Sequence, residues 1–460
     1  MEANFNNKNS DLISLKELAN HKSNKKMSND RFLLSKPFWH EAIEFEGYKT
    51  EEVIPPKQVD VLIVGSGFTG LSAALTLIKR ERSVVVLDAE YLGAGASTRN
   101  GGQIGSGNQK FKVKQLIKMF GEEKAVKLLK EGVNILNYIE ALIKDEEIEC
   151  FFNRSGRFRG AIRPEHYEAM ARDMDDLKHY AGVESFAVPK SEQHKEINSD
   201  FFHGGSVLPD DASLHPGLYH SGLINKLKKY GVILKGNTPV KNIEPNSNGF
   251  LVSAKDIKIQ AKNVIVATNG YTRKVHSHLN KRIVQVQSAL VATAPLSHER
   301  IERLMPTGRM YGNTAKVFSY FRAAPNEPRI IWGGRVGRLH KPGSDGAFSH
   351  LAKDLMKVFP DLHDAPISHG WTGTIGYTFD ELPHLGQTPD GVHYAMGYCG
   401  TGVSRSTYFG HKIALQLLND HKGRTEFDDI SFPSHPFHFV ADHTVPFFET
   451  WYRLRDHFNF

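Results

Sequence analysis

The sequence predicts an α/β fold that contains a Rossmann-like, dinucleotide-binding domain and a second domain. Three observations support this prediction. A strand, a glycine turn and a helix follow one another near residue 65, and a second apolar strand that ends in an acid comes after them. The chain also has 460 residues, which is more than one hydrophobic core usually serves.

The first strand and turn have the spacing of a dinucleotide site. VDVLIV, residues 59–64, is rich in β-branched apolar residues, as a central parallel strand is. GSGFTG follows, with Gly65, Gly67 and Gly70, and leads into the helix-forming LSAALTLIKR. In this pattern the first glycine makes a tight turn, the second lets a pyrophosphate approach and the third lets helix and strand pack. The N-terminus of the helix then offers N–H groups to the phosphates.

The next strand supplies the acid that such a site needs. SVVVLDA contains Asp88, 18 residues beyond Gly70, where a carboxylate binds a ribose hydroxyl. The same carboxylate would repel a 2′-phosphate, which argues against NADP, whereas NAD and FAD both stay open. Residues 61–78 carry no charge and have the length of a short membrane span, but their glycines favour strand, turn and helix. We therefore expect a cytoplasmic protein with no membrane partner.

Later segments extend the pattern. FLVSAKDIKIQ, residues 250–260, predicts a hairpin, KNVIVATNGY predicts a buried strand, and Val240 opens a further strand. VHYAMG and GYCGTG, residues 392–402, predict a strand and a second glycine turn, which leads into a helix over residues 403–418. This turn presents another set of N–H groups at a second point of the fold.

GASTRNGGQIGSGNQ, residues 95–109, has five glycines in 15 residues and no hydrophobic periodicity. By itself such a segment is typical of a flexible surface loop. Because a pyrophosphate already has the turn at Gly65, the alternative is that this backbone approaches another part of a ligand, which glycine permits through its lack of a Cβ.

Composition argues against several functions. The net charge of +7 is modest for the length, and no basic stripe is interleaved with aromatic residues, so we expect no nucleic-acid partner. Cys150 and Cys399 have neither metal-binding nor disulfide spacing, which fits a reducing compartment, and the histidines lack partners at ligand spacing, so no metal is expected. Residues 1–36 are predicted to be a disordered polar tail, without the apolar core of a signal peptide or anchor.

With these segments together, the sequence resembles the FAD-dependent oxidoreductases related to D-amino-acid, glycine and sarcosine oxidases, the DAO superfamily. The resemblance is closest to the gamma-glutamylputrescine oxidase-like branch and runs from about Lys36 to the C-terminus. Its carriers are KPFWHEA, VDVLIVGSGFTGLSAALTL, GAGASTRNGGQ, VIVATNGY, WTGTIGYTFDELPHLG, GYCGTGV and WYRLRD. RNGGQ and the segment from DELP to GYCGTG are far more specific than the first glycine pattern.

The resemblance implies a discontinuous FAD domain and a substrate domain of mainly antiparallel sheet plus helices. It assigns residues 37–110, 205–275 and 370–422 to the FAD domain, residues 111–204 and 276–369 to the substrate domain, and residues 423–460 to a C-terminal extension. The adenine end of FAD would lie at Asp88 and the backbone of Val240. Its isoalloxazine ring would lie between residues 100–103 and residues 400–402, where N–H groups stabilise an anionic reduced flavin.

The cofactor-binding candidates come from the glycine turns and the strands beside them. They are Gly65, Ser66, Gly67, Phe68, Thr69, Gly70, Asp88, Ala89, Ser97, Arg99, Asn100, Gly101, Gly102, Gln103, Val240, Ala267, Thr268, Gly270, Gly400, Thr401, Gly402 and Val403. Among these, Ser97, Asn100 and Gln103 are expected to supply hydrogen bonds, and Arg99 is expected to approach phosphate or the polar edge of the flavin.

Flavin chemistry on an amine needs few protein acids and bases, so no catalytic base is assigned. Hydride leaves the carbon next to the nitrogen, the imine is hydrolysed, and the protein positions the substrate and keeps the ring dry. Aromatic residues are the substrate-side candidates: Trp332, Trp371 and Tyr377. Ordinary core packing is the alternative for each of them.

Three positions differ from the pattern of other members of this superfamily. The cysteine that binds flavin covalently in some of them falls on Gly373, so we predict non-covalent FAD. The arginine that clamps the carboxylate of an α-amino acid, about five residues before Asp380, falls on Ile375. The lysine that assists oxygen falls on Ile331 or Trp332, which leaves oxidase and dehydrogenase both open. Arg322 or Arg335 are the candidates for a substitute substrate cation, and Arg335 or Lys316 for a substitute oxygen-assisting cation.

The resemblance and these differences predict FAD-dependent oxidation of an amine, in particular a polyamine derivative such as gamma-glutamylputrescine, with oxygen as acceptor and formation of H2O2. The alternatives are an amino-acid or N-methyl-amino-acid oxidase or dehydrogenase, an NAD-dependent dehydrogenase, and a non-catalytic flavin-binding protein. The oligomeric state is not predicted.

Overall fold

The computed structural model describes residues 13–20, 34–43, 48, 53–106, 110–315, 317–335 and 348–435. Its strands are β1 (Ile13–Ser14), β2 (Gln58–Val64), β3 (Val84–Leu87), β4 (Gln103–Ile104), β5 (Arg157–Gly160), β6 (Phe186–Val188), β7 (Gly205–Leu208), β8 (Ala212–Ser213), β9 (Ile233–Lys235), β10 (Val240–Asn246), β11 (Gly249–Ala254), β12 (Ile257–Val266), β13 (Val284–Thr293), β14 (Met310–Asn313), β15 (Tyr320–Ala323), β16 (Ile330–Arg335), β17 (Pro366–Tyr377), β18 (His384–Gln387) and β19 (His393–Met396). Its α-helices are α1 (Leu15–Asn20), α2 (Phe68–Ile78), α3 (Val113–Phe120), α4 (Glu122–Asp145), α5 (Pro164–Ala181), α6 (Pro216–Lys229), α7 (Ser277–Asn280), α8 (His298–Leu304), α9 (Ser349–Val358) and α10 (Gly402–Leu417).

The eight-stranded sheet has a parallel centre. Strands β9, β3, β2, β12 and β19 are neighbours in that order and pair in parallel, while β10, β11 and β18 add antiparallel strands at its margins. The apolar runs of β2 and β3 are buried on both faces, as parallel strands covered by helices require. The predicted order of strand, glycine turn, helix and strand is confirmed by β2, α2 and β3, and the predicted hairpin by β11 and β12.

The nine-stranded sheet is mainly antiparallel, in the order β1, β17, β13, β16, β15, β14, β5, β7 and β6. Its outer face packs on α9 and α1 through a core that includes Phe321 and Trp332. The register of β13 with β16 and β17 places Leu290 beside Gly333 and Trp371, so these residues share the other face, which we call the inner face.

The sheet assignments differ from the predicted domain limits at two places. β7 and all of β17 belong to the nine-stranded sheet, whereas residues 205–208 and 370–377 were assigned to the FAD domain. In both cases a strand of one sheet runs directly into a segment that serves the other.

The prediction of a disordered tail is wrong for residues 13–20. β1 pairs with β17, Ile13 opposite Ile367, and α1 follows it. Leu15 and Leu18 are fully buried against the outer-face core, so two apolar side chains in a polar segment are enough to attach it. The other residues of the predicted tail up to residue 33 lie outside the described ranges, as does WYRLRD.

Helices α2 and α10 pack against each other and point the same way. The Ser72 hydroxyl donates to the Thr407 carbonyl at 2.6 Å, and one turn later Thr76 Oγ1 lies 2.9 Å from His411 Nδ1. A Cβ on Gly410 would lie 2.2 Å from the Thr69 carbonyl oxygen, so only glycine permits this approach. Among the described helices, none is long and apolar enough to cross a membrane.

Candidate active site

The first glycine turn is held by the acid at the end of β3. The Ser66 N–H and hydroxyl both donate to Asp88 Oδ2, at 2.8 and 2.6 Å, and the Gly65 N–H donates to the Leu87 carbonyl at 2.8 Å. Gly65 has φ +107°, a conformation that favours glycine. The turn is therefore preformed, with Asp88 at the place where the sequence expects a ribose-binding carboxylate.

Two helix N-termini lie at the same end of the molecule. α2 begins just after Gly67 and α10 just after Thr401, and Thr69 Oγ1 is hydrogen-bonded to the Tyr398 hydroxyl at 2.7 Å. Because the helices run in the same direction, the positive ends of both dipoles meet there. Such a pair of ends suits a ligand that carries negative charge at more than one point.

The glycines of the site fall into two groups, and the difference tests whether a cofactor fits. In the first group the protein itself excludes a side chain: a Cβ on Gly70 would lie 2.0 Å from the Gly65 carbonyl oxygen. In the second group the protein leaves room for a side chain. A Cβ on Gly400 or Gly402 would meet nothing closer than 3.6 or 3.4 Å, and one on Gly67 would meet only the Ser97 hydroxyl at 3.0 Å. Both helix N-termini thus keep open space beside their backbone, which fits an extended dinucleotide.

Tryptophans hold the carbonyls of the segment 99–102. Trp371 Nε1 donates to the Arg99 carbonyl at 3.0 Å, and Trp39 Nε1 donates to the Asn100 carbonyl at 2.7 Å. Since these peptides are trans, the N–H groups of Asn100 and Gly101 point away from the two indoles. The segment is a partly buried element anchored by the two tryptophans and not a flexible surface loop.

The side chains of Arg99, Asn100 and Gln103 make hydrogen bonds to the protein, and their predicted roles toward the cofactor stay predictions. Arg99 donates to the Ala94 and Thr372 carbonyls at 2.8 and 3.1 Å. Asn100 Oδ1 accepts from the Gly102 N–H at 2.8 Å and folds the segment on itself. Gln103 Nε2 donates to the Phe321 carbonyl at 3.0 Å. The backbone N–H groups of Asn100 and Gly101 are therefore the groups of this segment that we expect to face a cofactor.

Ser97 links the segment to the first turn. Its hydroxyl accepts from the Phe68 N–H at 2.9 Å, at the N-terminus of α2. Ser97 therefore lies beside the N-terminus of α2, and the hydrogen bond that it is predicted to make to the cofactor stays a prediction.

The other predicted cofactor residues lie along the edge of the eight-stranded sheet. The Ala267 N–H donates to the Val64 carbonyl at 2.9 Å, Thr268 and Gly270 continue from it, and Val240 begins β10. Ala89 is exposed next to Asp88, and Thr401 and Val403 flank the start of α10. Of these residues, Ala267 lies directly against Gly65 of the first turn, and the roles of all of them toward the cofactor stay predictions.

The inner face of the nine-stranded sheet carries the substrate-side candidates. Tyr320 covers Gly333 and Gly101, and its hydroxyl lies 3.3 Å from Ser288 Oγ. Burial raises the pKa of Tyr320, so its phenol stays protonated. Next along the face, Ile375 packs with a small apolar cluster that includes Tyr377. The inner face therefore extends from the segment 99–103 to the turn at Gly400. A Cβ placed on Gly400 would lie 3.6 Å from the Tyr377 hydroxyl.

Of the three predicted aromatic residues, Tyr377 borders the turn at Gly400, and its contact with a substrate stays a prediction. The prediction that Trp332 lies on the substrate side is wrong. Trp332 is fully buried on the outer face and stacks on Phe321, with ring centroids 4.2 Å apart. Trp371 is on the inner face but buried beneath the segment 99–102, so it positions that segment. Sequence reasoning missed Tyr320 and Trp39, whose roles depend on contacts between distant parts of the chain.

The predicted substitute cations have different surroundings. Arg322 is buried, and its Nη1 donates to the Gly102 and Leu214 carbonyls at 3.0 Å each, so it serves the fold. Burial lowers the pKa of Arg322 to about 10. Arg335 lies on the inner face and donates to the Tyr377 hydroxyl at 3.1 Å. Lys316 lies outside the described residues. Lys110, which sequence reasoning also missed, lies 4.7 Å from the centre of the Tyr377 ring.

Two further positions concern covalent attachment and metals. Gly373 faces Arg99 on the inner face and offers no thiol, and Cys399 is buried with its Sγ donating to the Gly397 carbonyl at 3.2 Å. Non-covalent FAD stays a prediction. Within the described ranges, no group of three or more His, Cys, Asp or Glu residues is arranged to hold a metal ion.

A buried histidine makes the first turn sensitive to acid. His220 Nε2 donates to the Ser66 carbonyl at 2.8 Å, and burial lowers the pKa of His220 to about 4. In the unfolded chain His220 binds a proton near pH 6.5, whereas in the folded chain it does so only near pH 4. The free energy of unfolding therefore falls as the pH drops from about 6.5 to about 4. We expect a loss of about 2 kcal/mol between pH 7 and about pH 5 from this residue.

Urea unfolding at both pH values measures this loss, with FAD release followed by fluorescence. His220→Gln keeps a donor and cannot titrate, so the pH-dependent loss should shrink by that amount in the variant. An unchanged slope of stability against pH in His220→Gln would contradict the assignment.

Comparisons with known proteins give one family and a consistent set of relatives. The family model for DAO, described as FAD dependent oxidoreductase, matches residues 60–416. Gamma-glutamylputrescine oxidoreductase of Escherichia coli is 28% identical over 404 residues, which cover 86% of this chain and 92% of that protein. The probable oxidoreductase OrdL of Haemophilus influenzae is 28% identical over 411 residues, which cover 85% of this chain and 91% of that protein. Glycine oxidase of Geobacillus kaustophilus has the same fold, with a TM-score of 0.69 at 19% identity over 83% of this chain and 99% of that one.

Proposed function

The chain belongs to the DAO family of FAD-dependent oxidoreductases, and from this premise we propose that its substrate is an amine with a carboxylate distant from the reacting carbon, such as gamma-glutamylputrescine. The coarser function, FAD-dependent oxidation of the amine or amino-acid type, follows from the family. The substrate is the part that needs an argument.

FAD, when bound, supplies the acceptor for a hydride from the carbon next to the amine nitrogen. The residues that would hold it are the two glycine turns, Asp88, and the backbone of Asn100 and Gly101. Tyr320 and Ile375 would cover the reacting carbon and exclude water, and the protonated Tyr320 phenol would offer a hydrogen-bond donor. Arg335, as a nearby cation, disfavours an ammonium beside it and so favours the neutral amine that reacts.

The observation that carries the substrate proposal is the apolar environment of Ile375. In the antiparallel register Ile375 lies opposite Val286, and both belong to one apolar cluster with Tyr377 and Cys399. An α-carboxylate next to the reacting carbon would meet an apolar side chain at this position, where an arginine would have supplied a charged partner. The 28% identity to gamma-glutamylputrescine oxidoreductase over most of both chains supports the same substrate class.

A panel of amines tests the proposal directly. The holoenzyme is mixed under anaerobic conditions with gamma-glutamylputrescine, putrescine, glycine and sarcosine, and the bleaching of the flavin absorption band is followed. We expect the first compound to give the highest ratio of bleaching rate to Kd. Fastest bleaching by glycine or sarcosine would refute the proposal in favour of an amino-acid oxidase, and no bleaching by any amine would favour a binding protein. Admission of oxygen to the reduced enzyme then distinguishes an oxidase from a dehydrogenase by its rate of reoxidation.

A further inference from the structure

Strand β12 lies between the two strands that lead into the glycine turns. In the parallel register Val266 of β12 lies opposite Val64 of β2 and Tyr394 of β19. β2 continues into the turn at Gly65, and β19 continues into residues 397–401, which we call the second turn. Because neighbouring strands of a sheet lie about 5 Å apart, the segment that follows β12 is close to both turns.

Asn269, in this segment, binds the second turn directly. Its side-chain oxygen Oδ1 accepts from the Gly397 N–H at 2.9 Å. A Cβ on Gly376 of β17 would lie 2.4 Å from the same oxygen, so the glycine there makes room for the amide. Two residues before Asn269, the carbonyl oxygen of Ala267 would lie 3.0 Å from a Cβ on Gly65. Asn269 therefore connects the second turn to a segment that borders the first.

The second turn has a backbone that needs such support. Gly397, Cys399 and Gly400 have φ of +85°, +50° and +90°, and Cys399 is not a glycine. A residue with a Cβ is strained in this conformation and keeps it only where its surroundings fix it. The Cys399 N–H donates to the Gly376 carbonyl at 3.1 Å, and the Gly397 N–H donates to Asn269. The turn is thus held from β17 and from the segment after β12.

Asn269 is itself held in place. It has φ +43°, a left-handed conformation that asparagine adopts more readily than most residues. Its carbonyl accepts from the Thr272 hydroxyl at 2.7 Å, and Gln285 Nε2 donates to the carbonyl of the next residue, Gly270, at 2.5 Å. Asn269 can therefore fix the place of the second turn instead of following it.

We propose that Asn269 is a positioning residue, whose side-chain oxygen sets the place of the second turn and, through it, of the N-terminus of α10. The flavin ring is predicted to lie at residues 400–402. N–H groups at that place favour a flavin that carries negative charge over a neutral one. Loss of the Asn269 oxygen should therefore weaken the binding of reduced, anionic flavin more than that of oxidised flavin. The inference goes beyond the proposed function, because it does not depend on which amine is oxidised.

Three variants of the holoenzyme test this role. Asn269→Gly keeps the left-handed conformation and removes the oxygen, whereas Gly376→Ala keeps Asn269 and brings a Cβ against its oxygen. Asn419→Gly is the matched control, because Asn419 has φ +56°, is exposed and lies just beyond the other end of α10. Hydrogen exchange of the peptide that contains Gly397 reports the bond itself. The reduction potential and the Kd of sulfite, which adds to oxidised flavin and leaves it negatively charged, report the effect on the flavin.

We expect Asn269→Gly to speed the exchange at Gly397 and to raise the Kd of sulfite about 3- to 10-fold, as for loss of one neutral hydrogen bond. The two-electron reduction potential should fall by up to about 30 mV, which corresponds to a tenfold change. Gly376→Ala should change all three quantities in the same direction, and it supplies the flavin measurements if Asn269→Gly releases FAD. The double variant should change them by less than the sum of the single effects, because both substitutions act on one contact. Asn419→Gly should match the wild type.

Two results would overturn the inference. The first is unchanged exchange at Gly397 in Asn269→Gly, which can be measured whether or not the variant keeps its FAD. The second is faster exchange at Gly397 together with a sulfite Kd and a reduction potential like those of the wild type, since the hydrogen bond would then not act on the flavin. Neither result concerns the substrate, which the panel of amines tests separately.

Discussion

A single methyl group at position 102 is expected to abolish FAD binding. Gly102 has φ +67°, and a Cβ there would lie 2.2 Å from the Leu214 carbonyl oxygen. That oxygen cannot move, because it accepts from Arg322 Nη1 at 3.0 Å. The Gly102 carbonyl accepts from both Leu214 and Arg322, so displacement of residue 102 breaks these bonds as well. We expect Gly102→Ala to cost about 3 kcal/mol or more, and Gly102→Val to cost more than Gly102→Ala.

The control for this substitution is Gly182→Ala. Gly182 has φ +64°, nearly the same as Gly102, but a Cβ there would meet nothing within 4 Å. It therefore measures the backbone strain alone, which is about 1 to 2 kcal/mol. FAD content, the flavin spectrum and urea unfolding are compared in the two variants. If Gly102→Ala kept its FAD, its activity and the stability of Gly182→Ala, the close packing of Gly102 against Leu214 would not be required for FAD binding.

Turns, strands and helices that depend on residues close together in the sequence could be predicted from the sequence alone. The turn at Gly65, the strand that ends before Asp88 and the helix after Gly402 each depend on residues a few positions apart. Glycine spacing and apolar runs report such local geometry directly. The same holds for the hairpin of β11 and β12.

The face on which a residue of β16 lies could not be predicted. IIWGGR is buried at five of its six positions, so the strand has no alternation of polar and apolar residues to indicate which side chains face the site. The pairing of Leu290 with Gly333 decides it, because this register places Trp332 on the outer face and Arg335 on the inner one. A tryptophan near a predicted site therefore turned out to belong to the core.

Contacts between distant segments explain the other differences. Trp39 holds Asn100 from 61 residues away and Trp371 holds Arg99 from 272 residues away, and no local pattern relates those positions. Lys110 likewise meets the Tyr377 ring although the two residues lie far apart in the sequence. Arg99 also makes hydrogen bonds to two carbonyls, which its charge alone does not predict.

A methyl group at position 70 is expected to destroy both the fold of the first turn and FAD binding. A Cβ on Gly70 would lie 2.0 Å from the Gly65 carbonyl oxygen and 3.2 Å from Ile63 Cγ2. Both neighbours are fixed, since Gly65 is bonded to Leu87 across the sheet and Ile63 is fully buried in β2. Gly70→Ala should lower the free energy of unfolding of the apoprotein by about 3 kcal/mol or more and leave the protein colourless.

Gly67→Ala separates the needs of the cofactor from those of the fold. The same methyl group at position 67 would meet only the Ser97 hydroxyl, at 3.0 Å, and φ there is −73°, which any residue adopts. A rotation of Ser97 accommodates it, so the apoprotein should keep its stability within about 1 kcal/mol. FAD affinity should nevertheless fall, because the methyl group occupies the space at the N-terminus of α2 through which a pyrophosphate reaches the N–H groups. Urea unfolding of the apoproteins and FAD titration by fluorescence give the two quantities. If Gly67→Ala destabilised the apoprotein as much as Gly70→Ala does, packing within the protein would explain the glycine at both positions. If Gly67→Ala bound FAD as tightly as the wild type does, the pyrophosphate would not lie at the N-terminus of α2.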